Sequence, residues 1–227
     1  SHPGCENLYG QPVRYDVVVW GAPTLSAKML AARKLGWQNP RLVGTFPRQG
    51  AGGVGTIKDW MQPIKYRAGI EAMMICGWRG LGRIGGEFWP VLLKDPKGKL
   101  YDVLRTTPDV GETWGIGFDA ATTQLFAPGR TGPVATVRHE MFRENLQEIE
   151  ARIFIEKQLA DPEAKGKLGN DLATRCQAVL DERGQAILAA SAKGVIWQLE
   201  YQQGLSERTA KLYAAAAEAA SKIGTGK

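Results

Sequence analysis

A chain of 227 residues has room for one large domain, or for one domain with an appendage, and its 44% apolar content is enough to bury a core, which excludes wholesale disorder. The net charge of +6 comes from 29 Lys plus Arg against 23 Asp plus Glu, scattered without a block of like charges. It reads as a solvated surface, and no nucleic-acid partner is expected.

In chain order, Val13 to Trp20 is β-branched and aromatic and stops at Gly21-Ala22-Pro23, which predicts a buried strand. A helix follows, capped by Ser26 or Thr24, with Met29, Leu30, Ala32 and Leu35 as its apolar stripe and Gly36 as its end. Arg41 to Phe46 reads as the next strand. A glycine-rich loop, Gly50 to Gly55, leads to a helical pattern from Ile57 to Ala68, kinked at Pro63, and Ile70 to Trp78 then reads as a third apolar strand. Strand, helix, strand, helix, strand at this spacing predicts a parallel α/β sheet or barrel. Three strands do not close a barrel of eight, so the missing strands are expected upstream of Ser1. With no initiator methionine, the chain reads as a fragment: the C-terminal part of a longer protein.

Residues 79–133 break the period and are rich in Gly, Pro and aromatics, as in a long decorated loop with short strands such as Lys99 to Leu104. A long amphipathic helix is predicted from Val134 to Leu159. Val137, Met141, Leu146, Ile149 and Ile153 form its stripe, Phe142 widens it, and Glu148 and Arg152 pair at i,i+4 on the exposed side. Gly132-Pro133 marks its start and Asp161-Pro162 its end. Two more helices are expected near 168–190 and 206–223, packed on the barrel or on another subunit. The expected fold is therefore α/β: the C-terminal βα units of a TIM-type barrel over 1–133, then an α-helical tail over 134–227 whose first helix, 134–159, packs on the barrel.

Cys5, Cys76 and Cys176 are far apart and form no CxxC, so neither a zinc site nor a disulfide framework is expected, although one pair would bridge if the protein is exported. No run is apolar enough for a membrane span, and Ser1 to Cys5 has no signal-peptide character. Gly80 to Gly85 matches GxGxxG, with Asp102 at a distance suited to a ribose. That is the pattern of a nucleotide-binding oxidoreductase, but Pro90, Pro96 and Gly98 leave no room for the helix the motif requires. It stands as a remote alternative, and no cofactor is expected. Gly50 to Gly55 is followed by no Lys-Ser or Lys-Thr and reads as a flexible loop.

Trp20, Phe46, Trp78 and Trp89 stand at or just beyond the expected strand ends, where a parallel barrel builds its ligand face. Their rings suit the C–H face of a sugar, with Arg48, Arg79, Arg83 and Glu87 beside them as hydrogen-bonding groups; the bland reading is that the aromatics seal the rim. The adjacent carboxylates Asp181-Glu182 fall in an expected tail helix and read as a solvated face. His2 and His139 show no triad or metal spacing. No complete catalytic set is visible.

Phe126-Ala127-Pro128-Gly129, Gly132-Pro133-Val134, Thr136-Val137-Arg138, Glu140, Arg143-Glu144 and Glu148-Ile149-Glu150-Ala151-Arg152-Ile153 together resemble the end of the catalytic domain of family 123 glycoside hydrolases and their relatives. The resemblance extends over 15–159. It implies a TIM barrel and a hydrolase (glycosidase) acting on β-linked N-acetylgalactosamine, in which an adjacent Asp-Glu pair assists the substrate's own acetamide. That pair would sit on a middle strand, upstream of Ser1, so the catalytic residues are expected outside this chain. The partner implied is a carbohydrate, and the location implied is extracellular or periplasmic. The alternative is a non-catalytic glycan-binding or scaffold protein on the same barrel.

Overall fold

The computed structural model describes residues 7–8, 11–12, 17–20, 25–39, 43–46, 64–79, 92–94, 96–102, 125–191 and 201–224. Across them helices dominate, and the strands occur as four two-stranded pairs. The expected TIM-type barrel is not what the described residues build.

One parallel pair does match expectation. Strand β3 (Val17–Trp20) runs beside β4 (Val43–Phe46), with Val17 opposite Val43 and Trp20 opposite Phe46. Between them lies α1 (Ala27–Ala31), capped by the Ser26 hydroxyl, which accepts from the Met29 amide at 3.3 Å. This helix is shorter than its stripe suggested, because Arg33 turns into the left-handed region at φ 45°. A 3-10 turn, Gly36–Gln38, follows. The other pairs are antiparallel: β1 (Asn7–Leu8) with β2 (Gln11–Pro12), β5 (Leu92–Lys94) with β6 (Leu100–Asp102), and β7 (Phe126–Pro128) with β8 (Pro133–Ala135).

The expected third parallel strand is a helix. Ile64–Ile75 forms α2, and Ile70 to Ile75 is its second half. Glu, Ala and Met favour a helix, and a helix buried all round reads as an unbroken apolar run. Met73, Met74, Ile75 and Cys76 are all buried. Gly77 ends α2 at φ 81°: its amide donates to Met74 O and the Trp78 amide to Met73 O, both at 3.0 Å, which is a Schellman closure. Trp78 therefore follows a helix cap and does not stand at a strand end. With this strand gone, the repeated βα order behind the barrel expectation fails.

The C-terminal half follows its sequence signals more closely. Helix α3 (Val137–Ala160) is capped by Thr136, which accepts from the His139 amide and donates to Leu125 O at 2.9 Å. His139 stacks on Phe126 at 4.7 Å, so the β7–β8 hairpin is pinned to the start of α3. Helix α4 (Pro162–Ser191) breaks at Gly169, where φ is 77° and ψ 162°. Helix α5 (Leu205–Gly224) buries Leu205, Leu212, Ala215 and Ala219 on one face.

These helices pack α4 on α5, α2 on α3, and α3 on both α4 and α5. Two apolar clusters result. One joins α2 to the second half of α4 through Ala68, Ala72, Ile75, Ile187 and Ala190, and includes Leu25, Tyr201 and Leu205. The other joins Ile155 of α3 to Leu172, Cys176 and Leu180 of α4 and to Leu212 and Ala215 of α5. Fully burying a side chain such as Ile155, Ile187 or Leu212 stabilises by about 1.5–3 kcal/mol. Cys76 and Cys176 are buried free thiols in different clusters, so that pair forms no bridge. Cys5 lies outside the described residues. Among the described residues no helix is long and apolar enough to cross a membrane, and no cluster of His, Cys, Asp or Glu is placed to hold a metal.

Candidate functional site

Between the two apolar clusters lies a buried layer of charge. On α4, Arg183 falls between Leu180 of one cluster and Ile187 of the other; on α5, Thr209 falls between Leu205 and Leu212. Arg183, Glu71 of α2 and Glu148 of α3 are each 1% exposed. Arg183 forks onto Glu71, with Nε to Oε1 at 2.8 Å and Nη2 to Oε2 at 2.7 Å, and Nη2 also reaches Glu148 Oε2. Arg67 Nε donates to Glu148 Oε1 at 2.9 Å, and the Thr209 hydroxyl reaches the same oxygen at 3.1 Å. Arg152 donates Nη1 to Glu71 at 3.1 Å and Nε to Glu156 at 2.8 Å. The layer is not fully satisfied: among the described residues Arg183 Nη1 and both amide atoms of the buried Asn145 have no hydrogen-bond partner.

This layer corrects the reading of α3. Glu148 and Arg152 are not an exposed pair; both are buried and bond to groups on α2, α4 and the next turn. Of the expected stripe, Ile149 is buried, whereas Val137 is 59% and Leu146 43% exposed. The face turned inward is Asn145, Glu148, Ile149, Arg152, Ile155 and Glu156. Its helical spacing is sound, but its chemistry is polar.

Burial by itself would raise the carboxyl of Glu71, but the guanidiniums of Arg183 and then Arg152 outweigh it and hold it down at about 2. Such a group stays ionised and is no proton donor at neutral pH. Glu156 goes the other way: burial pushes it up despite the Arg152 charge and the Trp37 indole N–H, which donates to it at 2.9 Å. Burial also raises the Tyr201 hydroxyl and pushes the Cys76 thiol up to about 11, so neither is a ready nucleophile.

A pH dependence follows from Glu71. Its folded value lies below the ordinary 4.5, so its ionised form favours the folded state; that contribution is complete above pH 4.5 and is lost as pH falls toward 2. In urea unfolding at a series of pH values, wild type should exceed Glu71→Gln in stability by a constant margin above pH 4.5, and the margin should close below it. A margin that does not change with pH would contradict the assignment.

Of the residues expected to line a ligand site, Trp78 and Arg79 have described side chains. Trp78 is half-buried against the first cluster, and Arg79 is exposed. The backbone around them lies against the 3-10 turn and the residue after it. Asn39 Nδ2 donates to Gly77 O at 3.0 Å, and Arg79 Nη1 to Asn39 O at 3.4 Å. Trp37, one turn away, is half-buried with Lys157 Nζ 5.6 Å from its ring centroid. Trp37 and Asn39 were not foreseen. The available signal was the run Gly36-Trp37-Gln38-Asn39-Pro40, in which a tryptophan stands two residues before an asparagine. Trp20 lies in β3 opposite Phe46, and its side chain is outside the described set. Arg48, Arg83, Glu87 and Trp89 lie outside the described residues, as do the two glycine-rich motifs at 50–55 and 80–85.

Asp181 and Glu182 are about two-fifths exposed and each meets a cation: Asp181 meets Arg33 at 2.8 Å, and Glu182 meets Lys211 at 3.1 Å. No protein-family model matches the chain, and no curated protein or solved structure matches it either.

Proposed function

We propose that this chain is a glycan-binding element of a glycoside-hydrolase-like protein, and that its own described carboxylates do not perform the hydrolysis. The observation that carries the reading is the edge at the C-terminal end of α2. There the half-buried Trp78, packed on the first apolar cluster, precedes the exposed Arg79, and Asn39, just after the 3-10 turn, bonds the carbonyl of Gly77 before them and accepts from Arg79. An indole face suits the C–H face of a sugar ring, and a guanidinium suits its hydroxyls or acetamide oxygen. The run from Phe126 to Ile153 supports the same reading through its resemblance to family 123 glycoside hydrolases, whose ligands carry N-acetylgalactosamine.

The buried carboxylates argue for the non-catalytic form. Glu71 and Glu148 are 1% exposed and are neutralised by arginines, so they hold helices together and do not meet a substrate. The resemblance run thus supplies architecture through Glu148 and Arg152, and an exposed helical pair through Glu140 and Arg143, 2.5 Å apart.

Affinity electrophoresis in gels cast with a polymer bearing β-linked N-acetylgalactosamine tests this. The wild-type chain should be retarded. Trp78→Ala and Arg79→Ala should each weaken binding about three- to tenfold, with helicity by circular dichroism unchanged for Arg79→Ala. Wild-type retardation that both variants retain would remove the site, and a wild type that migrates freely would remove the function.

A further inference from the structure

A second feature lies on another side of the 3-10 turn. A cleft of about 190 Å³ opens between α1 with the residues after it, α3 and α4. A cleft of this size suits a small organic molecule and not a chain. Its walls include the apolar Leu35, Ile75 and Leu180, and its polar lining includes Lys34, Arg152 and Glu156.

Both carboxylates that line it are already engaged. Both oxygens of Glu156 are taken, Oε1 by Arg152 and Oε2 by Trp37. Both oxygens of Asp181, on the same cleft, are taken by Gln177 at 2.9 Å and Arg33 at 2.8 Å. The donors are not all used. Arg152 is only 6% exposed, spends Nε on Glu156 and Nη1 on Glu71, and among the described residues its Nη2 meets no acceptor. Lys34 is exposed at the same cleft and forms no ion pair among the described residues. A buried guanidinium nitrogen without an acceptor, on the same cleft as a second cation and an apolar wall, suits an anionic acceptor attached to a carbon skeleton.

We propose that this cleft binds a small organic carboxylate, its anionic end on Arg152 and Lys34 and its carbon body against Leu35, Ile75 and Leu180. This site is separate from the glycan edge and does not depend on it.

Isothermal titration of the full chain with hexanoate, hexanol and inorganic phosphate tests the proposal. Hexanoate should bind. Hexanol lacks the charge and phosphate lacks the carbon body, so each should bind at least about tenfold more weakly. Lys34→Ala should weaken hexanoate about tenfold and Lys34→Glu should abolish it. Lys34 is exposed and outside the buried charge layer, so both variants are expected to keep the wild-type urea midpoint, which excludes unfolding as the cause. Arg152→Lys is a poorer probe, because Arg152 also holds Glu71. Absence of hexanoate binding, hexanol or phosphate binding as tight as hexanoate, or Lys34 variants that bind like wild type would each overturn the proposal.

Discussion

Replacing Arg183 by methionine is expected to cost about 3–5 kcal/mol of stability. The substitution keeps the volume of the side chain's stem but leaves Glu71 and Glu148, both 1% exposed, without the guanidinium that lies between them. Two like charges would then face each other in a site that water does not reach. Arg152 still reaches Glu71 and Arg67 still reaches Glu148, so the loss is large but bounded. For a chain of this size it corresponds to a fall of about 6–20 °C in Tm. The companion variant Arg183→Met, Glu71→Leu, Glu148→Leu removes all three charges and should recover part of the loss, since none is then left buried alone. Urea denaturation of both variants decides the matter. A single variant within about 0.5 kcal/mol of wild type would mean that the charge layer does not hold the helices together.

The second large effect is expected at Gly36→Ala. A Cβ there would stand 2.5 Å from Trp78 O, 2.8 Å from Met74 O and 2.9 Å from Met74 Cα. All three are backbone atoms, of α2 and of the cap that closes it, which cannot swing aside as a side-chain tip can. The 3-10 turn must lift off the helix, at a cost of about 3 kcal/mol, the upper end for overpacking. The same movement would strain the bonds from Asn39 to Gly77 and from Arg79 to Asn39. On the proposed reading, glycan binding should therefore fall together with stability. Gly166→Ala is the control. Nothing lies within 4 Å of its added Cβ, and it sits in a helix, so it should be neutral or stabilising by up to about 1 kcal/mol. Thermal unfolding that ranks the two variants the other way would refute the packing account.

What the sequence revealed, and what it concealed, follows from how local each signal was. Asp161-Pro162 and the apolar spacing placed the end of α3 and the two helices beyond it, because caps, prolines and period are local properties. Val17–Trp20 and Val43–Phe46 were visible as strands for the same reason. Ile70 to Trp78 misled because a helix surrounded by other helices loses its polar face, and its one charge, Glu71, was itself buried. Glu148 and Arg152 misled more deeply. A charged pair at i,i+4 belongs on the surface unless distant partners neutralise it. Here those partners are Arg183, 35 residues from Glu148, and Glu71, 81 residues from Arg152. No local pattern encodes such a meeting. Of the site, Trp78 and Arg79 were legible as residue types suited to a sugar, but their setting was not. They sit beyond a helix cap, against a turn whose Trp37 and Asn39 carried little signal of their own.

The central claim is that the edge formed by Trp78, Arg79 and the 3-10 turn meets a sugar. Indole N–H resonances of the seven tryptophans, followed by ¹⁵N NMR during titration with a β-linked N-acetylgalactosamine disaccharide, test it most directly. Trp78→Ala identifies the signal that matters. The Trp78 resonance should shift progressively to saturation, and the remaining indoles should lose their response in Trp78→Ala. A spectrum in which no indole moves, or in which Trp78 alone stays fixed while others shift, would contradict that claim.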